Sequence, residues 1–267
     1  HTRFDEYLQY YHLRFLEPWF HKKLRAFYAR CQHLYVPSAS MMAELAAQDI
    51  ADNMRLWTRG VDHDRFDPAM RSQEWRRAHG IADDDVVIAY AGRLVAEKNM
   101  AVMARVFAGL KARGVAHRTL LLGDGPEAGW MRKALPDTVF AGFLHGDELA
   151  TGYASSDIFF FPSITETFGN VTLEAMASGL PSVTADATGS RSLVREGETG
   201  FLVPVDREDR MIERLVQLLT DGQMRKKFGA RAREIAICEH EWDSIFARLL
   251  SDYQDAVAGY VCSRHQV

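Results

Sequence analysis

Glu166 and Glu174 bracket the stretch Thr167-Phe168-Gly169-Asn170-Val171-Thr172-Leu173, whose composition is that of a loop opening into a helix. Gly169 and Asn170 suit the helix start, Leu173 and Met176 its apolar side, and Gly179 its C-terminal exit. The first amides of a helix have no intrahelical partner, and the helix dipole adds partial positive charge there, so such a start attracts an anion. Carboxylates beside it are poorly placed for phosphate. They are well placed for hydroxyl groups, which donate hydrogen bonds to ionised acceptors. A cationic pair stands elsewhere in the chain, in Gly92-Arg93-Leu94-Val95-Ala96-Glu97-Lys98-Asn99. Gly92 allows a tight turn, and a forked guanidinium with a point-charge ammonium suits a diphosphate whose negative charge grows as a bond to it breaks. Phosphate in the middle and hydroxyls at both ends describe a nucleotide sugar.

The elements that must position these residues alternate regularly. Ile158–Phe161, stopped by Pro162, reads as a buried parallel strand leading into the glutamate segment. Val86–Ala91 is a fully apolar strand leading into the Arg93/Lys98 loop, followed by a helix over Met100–Ala112. Strand Thr119–Leu122, helix Glu127–Leu135, strand Val139–Ala141, helix Asp147–Tyr153 and strand Ser182–Thr184 complete the alternation. Helices over 206–220 and 221–238 and a long amphipathic one over Trp242–Tyr260 follow. The pattern predicts an α/β, doubly wound parallel sheet, in which ligands bind at the carboxyl ends of the strands. Upstream, a strand at His33–Pro37, a helix begun at Ser38 and Ser40, and a strand at Met54–Thr58 lead to the Gly/Pro-punctuated stretch 59–68. The expected organisation is therefore the end of one Rossmann-like domain over 1–60, a linker over 61–69, a donor-binding Rossmann-like domain over 70–240, and a crossover helix and tail over 241–267.

At this point a resemblance becomes specific. The twenty-residue block Pro162–Pro181, with its Glu166-x7-Glu174 spacing, resembles the donor-sugar motif of retaining GT-B fold glycosyltransferases of family 4. Gly92-Arg93 with Lys98 is similar to their diphosphate clamp, and Gly123-Asp124-Gly125-Pro126 to their loop approaching the nucleotide. Phe140-Ala141-Gly142-Phe143-Leu144 resembles the segment whose backbone meets the nucleobase, and His1-Thr2-x-Phe4 the motif whose histidine faces the donor sugar. Trp57-Thr58-Arg59-Gly60-Val61-Asp62 and Thr165–Val171 are closest to bacterial GDP-mannose-dependent α-mannosyltransferases.

The resemblance implies a metal-independent transferase that moves a hexose from a nucleotide-diphosphate sugar, GDP-mannose foremost, to a lipid or glycan acceptor with retention of configuration. It needs no cofactor beyond that donor. His1, Arg93, Lys98 and Glu166 would be catalytic. Gly92, Gly123, Phe143, Leu144, Phe168, Gly169, Asn170, Val171 and Glu174 would bind the donor, with Glu166 on the sugar hydroxyls and Glu174 on the ribose. Three alternatives stay open: a UDP-sugar transferase, another enzyme of the same fold such as a sucrose-type synthase or a sugar-nucleotide epimerase, and a nucleotide-binding fragment without catalysis.

Composition narrows the classes. Apolar content of 47% and charged content of 25% are those of a globular chain, and a net charge of −4 argues against nucleic acid. Cys31, Cys238 and Cys262 are scattered and odd in number, which speaks against a disulfide framework or a metal cluster and for a cytoplasmic setting. Asp83-Asp84-Asp85 precedes a strand instead of following one and reads as a solvated turn. No Gly-x-Gly-x-x-Gly follows a strand, against a dehydrogenase. No apolar run approaches the ~18–20 residues needed to span a bilayer. Phe15, Leu16, Trp19, Phe20, Leu24, Phe27 and Tyr28 with His21, Lys22, Lys23, Arg25 and Arg30 form a basic aromatic helix. It suits either packing onto a core or peripheral contact with the inner face of a membrane. A start at His1 reads as part of a longer protein whose first Rossmann-like domain lies mostly upstream.

Overall fold

The computed structural model describes residue 15 and residues 17–264. The chain divides into two compact units, 1–60 with 240–267, and 61–239. In the first, α1 (Glu17–Tyr28) precedes β1 (Leu34–Val36), α2 (Ala39–Ala47) and β2 (Met54–Leu56), with β1 and β2 paired in parallel. Ser38 caps α2 by accepting from the Met41 amide at 3.2 Å. The aromatic stripe of α1 splits: Phe20, Leu24 and Tyr28 are half-buried, whereas Trp19 and Phe27 are exposed, as is Phe15 ahead of the helix. The half-buried side chains fit packing onto a core and the exposed ones leave an apolar face uncovered, because these side chains cover more of the helix circumference than one packed face buries.

The second unit is a six-stranded parallel sheet sandwiched between helices. It starts with α3 (Gln73–Ala78), then β3 (Val87–Ala91), α4 (Met100–Ala112), β4 (Arg118–Leu122), α5 (Ala128–Ala134) and β5 (Val139–Gly142). It continues through α6 (Gly146–Ala154), β6 (Ile158–Phe161), α7 (Asn170–Ala177), β7 (Ser182–Ala185), α8 (Thr188–Arg191) and β8 (Gly200–Val203), and ends with α9 (Glu208–Thr220) and α10 (Gly222–Glu239). The strand order β5-β4-β3-β6-β7-β8 reverses direction between β3 and β6. That reversal opens a crevice at the carboxyl ends of these two strands, where such sheets bind ligands. The last helix, α11 (Trp242–Arg264), belongs to the first unit, where Tyr253 meets Tyr35 edge-on at 6.1 Å.

The core explains why the sheet forms. Every residue of β3 and β6 is buried, as central strands covered on both faces require. Tyr90, Phe159 and Phe161 stack along them, with ring centroids 5.6 Å apart for Tyr90–Phe161 and 5.7 Å for Phe159–Phe161. β8, α3 and the short α8 go beyond the sequence expectation. β8 pairs with β7 from Ser182↔Gly200 to Ala185↔Val203, and a Cβ on Gly200 would lie 2.0 Å from the Ser182 carbonyl oxygen, so only glycine allows the approach. α3 carries Arg76, fully buried, whose guanidinium donates to the carbonyls of Ser155 (2.9 Å), Ala82 and Asp85 (both 2.7 Å). These bonds fasten the turn ahead of β3. Within that turn Asp83 pairs with Arg77, and Asp85 accepts from the Ala82 amide at 2.9 Å.

Candidate functional site

Four loops leave the carboxyl ends of β3, β4, β5 and β6, and together with α7, which carries Asn170, Val171 and Glu174, they hold all the site residues expected from sequence except His1, which lies outside the described residues. The first three loops are joined through their backbones. The Gly92 amide donates to the Leu122 carbonyl and the Leu94 amide to the Asp124 carbonyl, both at 3.0 Å, and Gly123 bridges to Gly142. Gly123 holds φ at 153°, and a Cβ there would come within 1.9 Å of the Gly92 carbonyl oxygen. Glycine is therefore required for the β3 and β4 loops to touch. Leu144 packs against the core, while Phe143 is 77% exposed and stacks on His145 with centroids 6.1 Å apart.

The β3 loop delivers its two cations differently. Arg93 is 73% exposed and meets Glu97, four residues on, at 3.4 Å. Lys98 closes a 3-10 turn (Ala96–Lys98), and its side chain is only 16% exposed. Its Nζ forms an ion pair with Glu166 and donates to Thr165 Oγ1 at 3.2 Å. The next residue, Asn99, takes the left-handed conformation (φ 59°, ψ 43°) and donates from Nδ2 to the Pro162 carbonyl at 2.9 Å. One residue thus turns the chain into α4 and ties the Lys98 loop to the end of β6. Asparagine tolerates left-handed backbone better than other side-chain-bearing residues.

The β6 loop carries the rest. The carbonyl of Glu166 accepts from the Gly189 amide at 2.9 Å, and a Cβ on Gly189 would sit 2.8 Å from both that oxygen and the Glu166 Cβ. The start of α8 thereby fixes the Glu166 backbone. Phe168 is buried and anchors the loop, and Gly169 (φ 99°) turns it into α7, whose start has no side-chain cap. The amides of Asn170 and Val171 stand at that start, beside Glu166 and one turn before Glu174.

Glu174 differs from Glu166. Burial pushes its carboxyl up to about 7, opposed by a hydrogen bond from Tyr153. The Tyr153 hydroxyl lies 3.0 Å from Glu174 Oε2 and 3.2 Å from the Val171 carbonyl oxygen, and burial raises the phenol well above its ordinary value. At neutral pH, then, Glu174 is not the fully ionised acceptor that its position alone suggested. Three participants were not singled out as site residues from sequence. Thr165 sits inside the motif without a distinguishing signal, Asn99 reads only as a helix start, and Tyr153 is one aromatic near the end of a short amphipathic helix. Among the described residues no group of three or more His, Cys, Asp or Glu is placed to hold a metal ion.

The edge thus gathers a partly buried ammonium at Lys98, an exposed guanidinium at Arg93, and a helix start at α7 whose amides suit an anion, with two carboxyls able to accept hydrogen bonds from hydroxyl groups. Comparison with known proteins identifies the family and the fold. Residues 71–235 match the model of glycosyl transferases group 1, and residues 1–65 that of Glycosyltransferase Family 4. The chain is 33% identical over 250 residues to a GDP-mannose-dependent alpha-mannosyltransferase of Corynebacterium glutamicum, covering 94% of this chain and 59% of that protein. It is 35% identical to a sulfoquinovosyl transferase of Arabidopsis thaliana, covering 96% of this chain and 51% of that protein. It therefore spans about half to three-fifths of the relatives' length. Sucrose-phosphate synthase from Thermosynechococcus elongatus superimposes with a TM-score of 0.78 at 22% identity over 88% of this chain and 61% of that one, which supports the GT-B fold. With its sheet, its switch-point crevice and its paired loops accounted for, the chain belongs to the glycosyl transferases group 1.

Proposed function

We propose that this chain supplies the donor half of a glycosyltransferase, binding a nucleotide-diphosphate hexose at the crevice between β3 and β6 for transfer to a lipid or glycan acceptor with retention of configuration. The observation that carries this reading is the convergence of Lys98, Glu166, Thr165 and the uncapped α7 start on one sheet edge. Lys98 and Arg93 would neutralise the diphosphate as the glycosidic C–O bond breaks. Glu166 would hold the sugar hydroxyls and Glu174 the ribose. The acceptor oxygen would bond to the anomeric carbon on the face the phosphate leaves, and its proton would pass to the departing phosphate. No enzyme-bound intermediate and no metal enters that sequence. Because Lys98 is held by Glu166, donor binding exchanges one carboxylate partner for phosphate, and frees Glu166 for the sugar.

GDP-mannose is the proposed donor, on the strength of the mannosyltransferase relatives. The sulfoquinovosyl relative favours a second reading with another sugar donor in the same site. The exposed Phe15, Trp19 and Phe27 beside Lys22, Lys23 and Arg25 support peripheral membrane contact by α1. Among the described residues no helix is long and apolar enough to cross a membrane. Titration calorimetry with GDP, UDP, ADP, NAD and GDP-mannose tests the proposal, with Arg93→Ala as control. GDP binding abolished by Arg93→Ala supports it; preference for UDP selects the second reading, and preference for NAD refutes the donor site.

A further inference from the structure

We propose that Tyr153 is a positioning residue of the donor site, its hydroxyl holding the Glu174 carboxylate in the charge state and orientation that accept hydrogen bonds from the ribose hydroxyls of a nucleoside diphosphate. The inference rests on the donor-site reading above, and it adds a pH response that the motif alone does not contain.

The geometry carries it. Tyr153 is fully buried in α6, its ring fixed edge-on to Phe66 (5.8 Å, 77°) and against Phe159 (6.0 Å). The ring cannot swing, so its oxygen stays 3.0 Å from Glu174 Oε2 and 3.2 Å from the Val171 carbonyl oxygen. A phenol has one proton for these two acceptors. When Glu174 is ionised, that proton goes to the carboxylate, the stronger acceptor. When Glu174 binds a proton, its own O–H can donate to the phenol oxygen while the phenol proton turns to Val171. Each charge state thus has a complete set of partners, and the pair can switch without orphaning a buried polar atom. Only the ionised state keeps both Glu174 oxygens free of hydrogen, as a ribose diol requires.

The surroundings leave this pair in control. α7 carries no other charged side chain along Asn170–Ala177. From β3 the facing titratable group is Tyr90, whose influence reaches Tyr153. From α10, Arg233 donates to the Ala177 carbonyl at the far end of α7 and is paired with Asp67. Burial raises the Glu174 carboxyl to about 7 and the Tyr153 bond restrains it. Tyr153→Phe, which keeps the ring and its packing, therefore moves the titration to higher pH.

Two measurements on the chain test this. Infrared titration of the buried carboxyl stretch, assigned by its loss in Glu174→Gln, gives the charge state of Glu174 in the wild type and in Tyr153→Phe. Calorimetry gives the affinities for GDP and for its dideoxyribose analogue across pH, and their ratio cancels the phosphate ionisation that both share. In the wild type the ratio should rise by up to ~10-fold per pH unit below the midpoint and level off above it. In Tyr153→Phe the same curve should appear displaced to higher pH, with affinity recovering well above neutrality. An infrared midpoint unmoved by Tyr153→Phe overturns the role of Tyr153. A moved midpoint with a pH-independent ratio overturns the ribose assignment while nucleotide binding stands. Absence of GDP binding at every pH overturns the donor site itself, and the infrared midpoint still decides whether Tyr153 governs Glu174.

Discussion

The two glutamates of one motif, with seven residues between them, live in opposite environments. Glu166 is 24% exposed and faces a cation from a loop 68 residues away, Lys98. Among the described residues Glu174 is paired with no cation; it lies against a phenol and has its carboxyl pushed up to about 7. An ammonium at contact offsets the cost of holding a carboxylate in a crevice, whereas a phenol contributes one hydrogen bond against desolvation and loses. The same side chain is thereby given two characters: one electrostatically coupled to Lys98, the other poised to titrate.

Substitutions can break or sharpen that contrast. The largest effect is expected from Lys98→Ala, which strips Glu166 of its cation and the diphosphate of its least exposed one. kcat/KM with a sugar donor should fall ~10²–10³-fold in the assembled enzyme, and a loss under fivefold would contradict the clamp. Glu166→Ala should lower turnover with the sugar donor by a similar order while changing the affinity for the bare nucleoside diphosphate much less; equal losses in both would refute the division of labour between the glutamates. Glu174→Gln probes stability. An acid whose carboxyl is raised on folding binds a proton more readily in the folded chain, so its contribution is full below the unfolded value of about 4.5 and is lost as pH rises through about 7. The variant should therefore gain stability over the wild type on going from pH ~5 to ~8, by at most about 3 kcal/mol, read by denaturant titration at both pH values. A gap that stays constant across that range would place Glu174 in contact with solvent. The smallest effect belongs to Asn99→Gly, which keeps the left-handed backbone and removes only the bond to Pro162. A loss of about 1 kcal/mol in stability is expected, with a weaker Lys98–Glu166 coupling in a double-mutant cycle.

Much of the frame was legible in the chain itself. The helix expected over Met100–Ala112 and the strand expected over Ile158–Phe161 have those bounds in the structure, because apolar periodicity and the stops at Gly and Pro are local properties. β8 escaped notice because four residues behind Gly197 and Gly200 carry too little pattern, and it exists through pairing with β7. The α1 stripe was legible as amphipathic, but which of its aromatics are buried depends on what lies against each side. In the site, the residue types and their loops could be named, since every loop follows a strand. Tyr153 could not, because a tyrosine whose hydroxyl reaches across to the next helix has the same sequence signature as one that merely fills a core.

Sequence alone therefore determined most of the strands and helices, β8, α3 and α8 excepted, and which loops must gather at the carboxyl edge, since parallel βα units leave no other edge for them. Tertiary structure decided the strand order with its reversal between β3 and β6, the pairing of Lys98 with Glu166 across 68 residues, and the burial of Glu174 against Tyr153. Those outcomes depend on distances and dielectric set by packing. A carboxyl becomes a partner for a cation or a group that titrates near neutrality only when the fold has chosen what surrounds it.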